Sequence, residues 1–348
     1  MRLRLLLFLF GLGAAVSVSA QPRGGVLKVR LVNGTSGGAG SAEKVTLFRL
    51  RGGMVPAKEM GAVSGTFEIR DIELEGERPM LLQVTSQGVN YNEPVRFGRG
   101  YEAEVEITVY DVVREWNDRD LELTTVRVLY RREGDRLMVD EVYVVENRTN
   151  PKTTYHDPER GFRFYLPTNP RELRSVSARG ESGMPVPQQA APLPDGSGYV
   201  TRTAFKPGET EVVVSYEVDY GENGYQVENR VFYKLPEYYV FVAPTDVNIE
   251  ADGWEHLGPE PEGRFVALRK RGVTPETSLR MKLSGGSATS ASTSSVSGSG
   301  SGESGENAQV QIIPDGTNDS KAVVVMFMAA ALAFGLLKTL YPPPARRG

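Results

Sequence analysis

The chain has 348 residues, with 40 basic and 44 acidic side chains, a formal charge of −4 and no cysteine. Without cysteine, structural disulfides, thiol catalysis and Cys-ligated metals are excluded, so the folded part must rely on apolar cores. Two bases lie within residues 1–20 and three beyond 321, with no acid in either stretch, so residues 21–321 hold 35 bases against 44 acids, or −9. That surplus weighs against nucleic acid or anionic lipid as the main partner, since both demand a basic surface.

The first twenty residues read as a signal peptide. Arg2 and Arg4 form a basic start, and Leu5–Val16 is an apolar stretch too short to span a bilayer. Val18-Ser19-Ala20 is a small-residue cleavage site that makes Gln21 the first mature residue. The rival is an uncleaved anchor, against which Gly11 and Gly13 weaken a stable helix. A lipoprotein would need a cysteine after the apolar stretch, and there is none.

Beyond residue 25 the apolar pattern has period two. Tyr101, Ala103, Val105, Ile107 and Val109 alternate with Glu102, Glu104, Glu106 and Thr108, as in a strand with one wet face. Similar runs cover Val26–Val32, Lys44–Leu50, Thr66–Ile69, Leu81–Thr85, Val126–Tyr130 and Leu137–Val145. They continue over Phe162–Leu166, Glu211–Tyr220, Gln226–Tyr233, Tyr239–Val242, Phe265–Leu268 and Leu279–Leu283. Turn residues such as Gly134-Asp135 and Gly221-Glu222-Asn223-Gly224 separate them. The predicted class is all-β, with two antiparallel β-sandwich domains over 25–113 and 121–283. The charged segment Arg114–Asp120 divides them, with Trp116 placed to pack at the junction, and a long Gly/Pro/Gln/Ser loop is expected over 178–198.

In the first of these, Val29, Asn33-Gly34-Thr35-Ser36-Gly37-Gly38, Val45-Thr46-Leu47 and Gly65-Thr66-Phe67-Glu68-Ile69 follow one another. They read as a strand, a glycine-rich turn, an apolar strand and a Gly-x-Phe strand. The glycines permit positive φ at the turn, and Phe67 and Ile69 share a face that can enter the core. In these features the segment 26–110 resembles the transthyretin-like or carboxypeptidase regulatory-like β-sandwich domains. That resemblance implies a β-sandwich with a non-catalytic structural or binding role, and it carries over no catalytic residue. For 121–283 an immunoglobulin-like sandwich is expected from the strand pattern alone.

Residues 284–320 form a Ser/Gly-rich linker with almost no large apolar side chain up to 307, predicted to be disordered. Residues 322–341 are predicted to be a transmembrane helix. Ala322–Leu337 has no charged or strongly polar group, and continuation to Leu340 makes a helix of about 28 Å, close to the hydrocarbon thickness. Lys338 can snorkel, Tyr341 suits the interface, and Pro342-Pro343-Pro344 ends the helix. Arg346 and Arg347 follow in a short tail, 342–348, which the basic flank places in the cytoplasm. The expected address is therefore a cell membrane crossed once, with the sandwiches periplasmic or extracellular.

Signals for chemistry are sparse. His156 is followed by Asp157 and His256 preceded by Glu255, but neighbours on an extended chain point to opposite sides, so neither pair makes a general base. Two histidines without ligand spacing do not make a zinc site, and Asp315–Ser320 lacks the length and terminal Glu of a calcium loop. No catalytic residue, cofactor or metal is expected. Tyrosines concentrate in the second half, and Tyr225, Tyr238, Tyr239 and Trp254 are candidates for an interaction surface for protein or sugar. The alternative is that these side chains fill the sandwich core. Tyr238 and Tyr239 are adjacent, so on a strand one of them should face out.

These readings lead to a membrane-anchored envelope protein with an exported, non-catalytic binding or scaffolding region, its partner an envelope protein or a glycan. An accessory subunit that docks through its membrane helix is the alternative, and a carboxylate-dependent hydrolase a third.

Overall fold

The computed structural model describes residues 24–50, 53–74, 79–98, 100–167, 172–180, 183, 185–260 and 263–287. The signal peptide over 1–20, the linker from 288 onward, the membrane helix over 322–341 and the tail over 342–348 lie outside the described residues. Among those described, every regular element is a strand and no helix is long and apolar enough to cross a membrane.

The pattern of the first segment places Leu27, Val29 and Leu31 inward and Lys28 and Arg30 outward along the strand Gly25–Asn33. That strand is the centre of a three-stranded sheet between Thr66–Ile72 and Glu102–Val109. A four-stranded sheet runs in the order Met54–Met60, Lys44–Leu50, Met80–Ser86, Val89–Val95. Val45, Leu47, Leu82, Val84 and Tyr91 from this sheet meet Leu27, Val29, Leu31, Ile69 and Ile107 from the other in one apolar core. On the outer face, Lys28 pairs with Glu102 at 3.8 Å and Arg30 with Glu106 at 3.1 Å. Both pairs are well exposed and contribute little to stability.

The second core is built on a long hairpin, Leu121–Glu133 and Arg136–Asn147, joined by the two-residue turn Gly134-Asp135. Gly134 has φ of +65°, which the turn requires and which glycine alone adopts without strain. The hairpin is the centre of an eight-stranded sheet. Its order is Val186–Pro187, Glu172–Gly180, Gly208–Asp219, Arg136–Asn147, Leu121–Glu133, Leu235–Ala243, Val266–Val273, Glu255–Pro259. Two three-stranded sheets pack on its inner face: Phe162–Phe164 with Tyr199–Thr201 and Ala190–Pro192, and Tyr225–Asn229 with Leu279–Gly285 and Val247–Glu250.

The pairing is mainly antiparallel, as expected, but three pairs are parallel: Gly25–Asn33 with Glu102–Val109, Val112–Val113 with Thr154–Tyr155, and Leu121–Glu133 with Leu235–Ala243. In the N-terminal sandwich the cause is closure, because the last long strand returns beside the first. The segment expected as a loop over 178–198 is interrupted by the short strands Val186–Pro187 and Ala190–Pro192, and Glu172–Gly180 runs into it. The linker expected from 284 begins inside the strand Leu279–Gly285.

Two substitutions probe these elements. Leu82 is fully buried at the middle of the four-stranded sheet. Leu82→Ala is expected to cost about 2–5 kcal/mol in urea unfolding, while Val55→Thr, on a half-exposed edge strand, should change stability by under about 0.5 kcal/mol. At Gly224, with φ of +80°, an added Cβ would lie 2.0 Å from the Leu283 carbonyl oxygen. Gly224→Ala should therefore destabilise more than an ordinary turn substitution in the same assay.

Candidate functional site

The aromatic candidates are drawn inward. Tyr238 is 2 % exposed, Tyr239 5 % and Trp254 7 %, and Tyr225 is half-buried at the start of its strand. They form no exposed patch. Tyr238 points into the core, where Trp254 meets it edge-on with ring centres 5.8 Å apart, and the Trp254 indole donates to the Arg280 carbonyl at 3.2 Å. Tyr239 faces the other side of the sheet, as alternation requires, but that side is covered too. Its ring lies beside Phe241 at 6.3 Å, and its hydroxyl donates to Glu237 at 2.5 Å. Burial raises the Tyr239 hydroxyl to about 12.

The core aromatics surround one carboxyl. Glu141, on the inner face of Arg136–Asn147, is fully buried. It accepts from the Tyr143 hydroxyl, from the Tyr216 hydroxyl at 2.8 Å and from Asn229 Nδ2 at 3.0 Å. The same Asn229 nitrogen donates to the Tyr238 hydroxyl at 2.8 Å. Glu141 makes no ion pair among the described residues. Burial raises its carboxyl above the ordinary range, and the three donors oppose that shift. The group ties the large sheet to Tyr225–Asn229 on the facing sheet. It is enclosed, which gives it a structural role.

The two histidines lie apart in the fold. His156 follows the short strand Thr154–Tyr155 and is half-buried, with its Nδ1 unpartnered and its imidazolium disfavoured by desolvation. His256 is exposed on Glu255–Pro259, an edge strand of the large sheet. Among the described residues no three His, Asp or Glu side chains are grouped as a metal would need.

Beside His156 the two cores meet along a polar seam. Asn33 Nδ2 donates to Asp111 at 2.9 Å, and Thr35 Oγ1 donates to the Lys152 carbonyl at 2.5 Å while accepting from the Asp111 amide at 2.9 Å. The Tyr91 and Thr154 hydroxyls are 2.9 Å apart. Lys206 Nζ donates to the Asn90 carbonyl at 2.7 Å and lies 4.6 Å above the Tyr91 ring. Burial pulls the Lys206 ammonium down to about 8.

Next to the seam the segment 114–120 carries Trp116 onto the second core. Its ring contacts Tyr233 at 4.6 Å, Tyr155 at 5.4 Å and Phe205 at 5.9 Å. The indole N–H donates to Asp118 Oδ1 at 2.9 Å. An open cleft of about 370 Å³ borders Trp116 and Tyr233, with Leu121, Leu123, Leu235 and Val273 as an aliphatic floor. Its position at strand ends explains why it exists. Leu121 and Leu235 begin strands and Val273 ends one, so the sheet stops here, with Trp116 and Asp118 of the linking segment among the residues that line the opening. Only Trp116 of this site stood out in the sequence; the floor comes from residues far apart in the chain.

No family model matches this chain, and the search of curated proteins finds no relative of it.

The Glu141 geometry makes a stability prediction. A carboxyl raised in the native state binds its proton more firmly there than in the unfolded chain. Its contribution is therefore full below the ordinary carboxylate range and is lost as pH rises through the native value. Glu141→Gln should flatten the fall in stability with rising pH above about 4.5. Urea melts across pH would check this, and an unchanged slope would refute it.

Proposed function

We propose that this chain is an exported protein held in a membrane by residues 322–341, whose β-sandwich region binds or scaffolds a partner and performs no catalysis. Its N-terminal part is read as transthyretin-like or carboxypeptidase regulatory-like, and its second part as immunoglobulin-like. The partner is another component of the cell envelope, protein rather than glycan, and the contact surface is the seam end with its cleft.

One observation carries this reading. The chain leaves the described fold at the end opposite the cleft. In the long hairpin, Leu121 pairs with Asn147 near the seam, whereas Glu133 pairs with Arg136 at the far turn. The last described residues are fastened at that turn. Arg132 Nη1 donates to the Gly285 carbonyl at 2.8 Å, the Tyr220 hydroxyl donates to it at 2.9 Å, and the Ser287 amide donates to Asp246 Oδ2 at 2.9 Å. A strand of 13 residues spans about 40 Å. The cleft and the point where the chain leaves the described fold are therefore about 40 Å apart along the sheet. The polar seam supports the same reading, because it couples the two cores across several hydrogen bonds.

The test is photo-crosslinking of the full chain in its native membrane, with a photoreactive residue at Lys234 on the cleft rim or at Asp246 by the exit. Capture of one protein from Lys234 and not from Asp246 is expected. Capture only from within 322–340, abolished when that segment is exchanged for an unrelated apolar helix, would favour the accessory-subunit reading instead.

A further inference from the structure

We propose that the Trp116 cleft receives an arginine or lysine side chain presented next to an apolar residue on the partner protein. This rests on the binding reading above and supplies the chemistry of the contact.

The charge balance of the lining is the first argument. Of the three charged residues there, Glu122 pairs with Arg148 at 2.7 Å, and Arg148 is shared with Glu146. Lys234 makes no ion pair among the described residues, though its charge acts on Glu276, whose carboxyl is held below its ordinary value by the Thr274 hydroxyl first. Asp118 makes no ion pair among the described residues. Its Oδ1 accepts from the Trp116 indole, which holds the carboxylate at the edge of the ring and leaves Oδ2 for an incoming donor. Counted with their ion-pair partners, Asp118, Glu122 and Glu146 stand against Lys234 and Arg148, three acids to two bases, so one negative charge is in excess at the cleft.

The shape of the lining is the second argument. Leu121, Leu123, Leu235 and Val273 are buried beneath the cleft, while the partly exposed rings of Trp116 and Tyr233 offer surface that attracts a cation and packs on its methylene stem. A side chain with an aliphatic stem and a charged head matches these rings and the Asp118 rim together. The space of about 370 Å³ is in the range of small-ligand sites and holds such a side chain with an apolar neighbour. The −9 balance of residues 21–321 favours approach of a basic segment.

The chain's two tryptophans, Trp116 and Trp254, make the test direct. In ¹H–¹⁵N spectra of the full chain in detergent micelles, the Trp116→Phe variant assigns the two indole signals. Titration with acetyl-Leu-Arg-amide is expected to move the Trp116 indole and leave that of Trp254 in place, with the effect weakening as salt rises. Acetyl-Leu-Gln-amide should move neither. Asp118→Asn should weaken the arginine peptide at least about fivefold, the scale of a lost charge-assisted hydrogen bond, and Asp118→Glu should retain binding. Equal response to both peptides, no response at Trp116, or a response to cellobiose that survives Asp118→Asn would each overturn the assignment. If Lys234 crosslinks still capture a protein while the peptide arm fails, the binding reading stands and the cationic side chain is wrong.

Discussion

The long hairpin Leu121–Glu133 and Arg136–Asn147 is the constraint on which the second half of the molecule depends. From Leu137 to Val145 every residue of its second strand is buried, on both faces of the sheet. A strand buried on both sides needs cover on both sides. The inner cover is the core with its two small sheets. The outer cover is a layer of ion pairs and the stems of their side chains. Arg179 pairs with Glu211, Arg269 with Glu255 at 2.7 Å, and Arg136 and Arg174 with Glu217 at 3.1 and 3.4 Å. Beneath that layer lie Leu129, Val142, Val144, Tyr239 and Phe241, each under 9 % exposed.

This double cover sets the limits of what was legible in the sequence. Strand existence was readable wherever alternation was clean, as along Gly25–Asn33 and Glu102–Val109. Phe67 and Ile69 share a face as expected, with Ile69 3 % exposed in the core and Phe67 partly buried against it. The hairpin turn at Gly134-Asp135 was readable because few residues suit it. Alternation failed as a guide for Tyr238 and Tyr239. Adjacent residues do face opposite sides, but a wide sheet with paired charges hides both. The edge strand Met54–Met60 was missed because it holds Pro56, Lys58 and Glu59 and needs no second apolar face. Parallel pairing was not readable, since side-chain period is the same in either direction.

The cleft was legible only through Trp116. Its floor is assembled from the start of one strand, the start of another and the end of a third, so spacing in the chain has no period that would mark it. The Glu141 cage has the same property. It gathers Tyr143, Tyr216, Asn229 and Tyr238 from four strands around one carboxyl. A buried acid met by neutral donors only is costly to form and specific once formed. It selects the pairing of sheets in which all its donors arrive together.

The fastening of the last strand at the far turn has a mechanical consequence. Leu279–Gly285 lies between Tyr225–Asn229 and Val247–Glu250, with hydrogen bonds across to both. Those bonds run crosswise to the strand. Tension drawn from Ser287 along the strand axis would load them all at once, in shear, instead of peeling them one by one. A pull at Ser287 along that axis would thus meet the bonds to both neighbouring strands together.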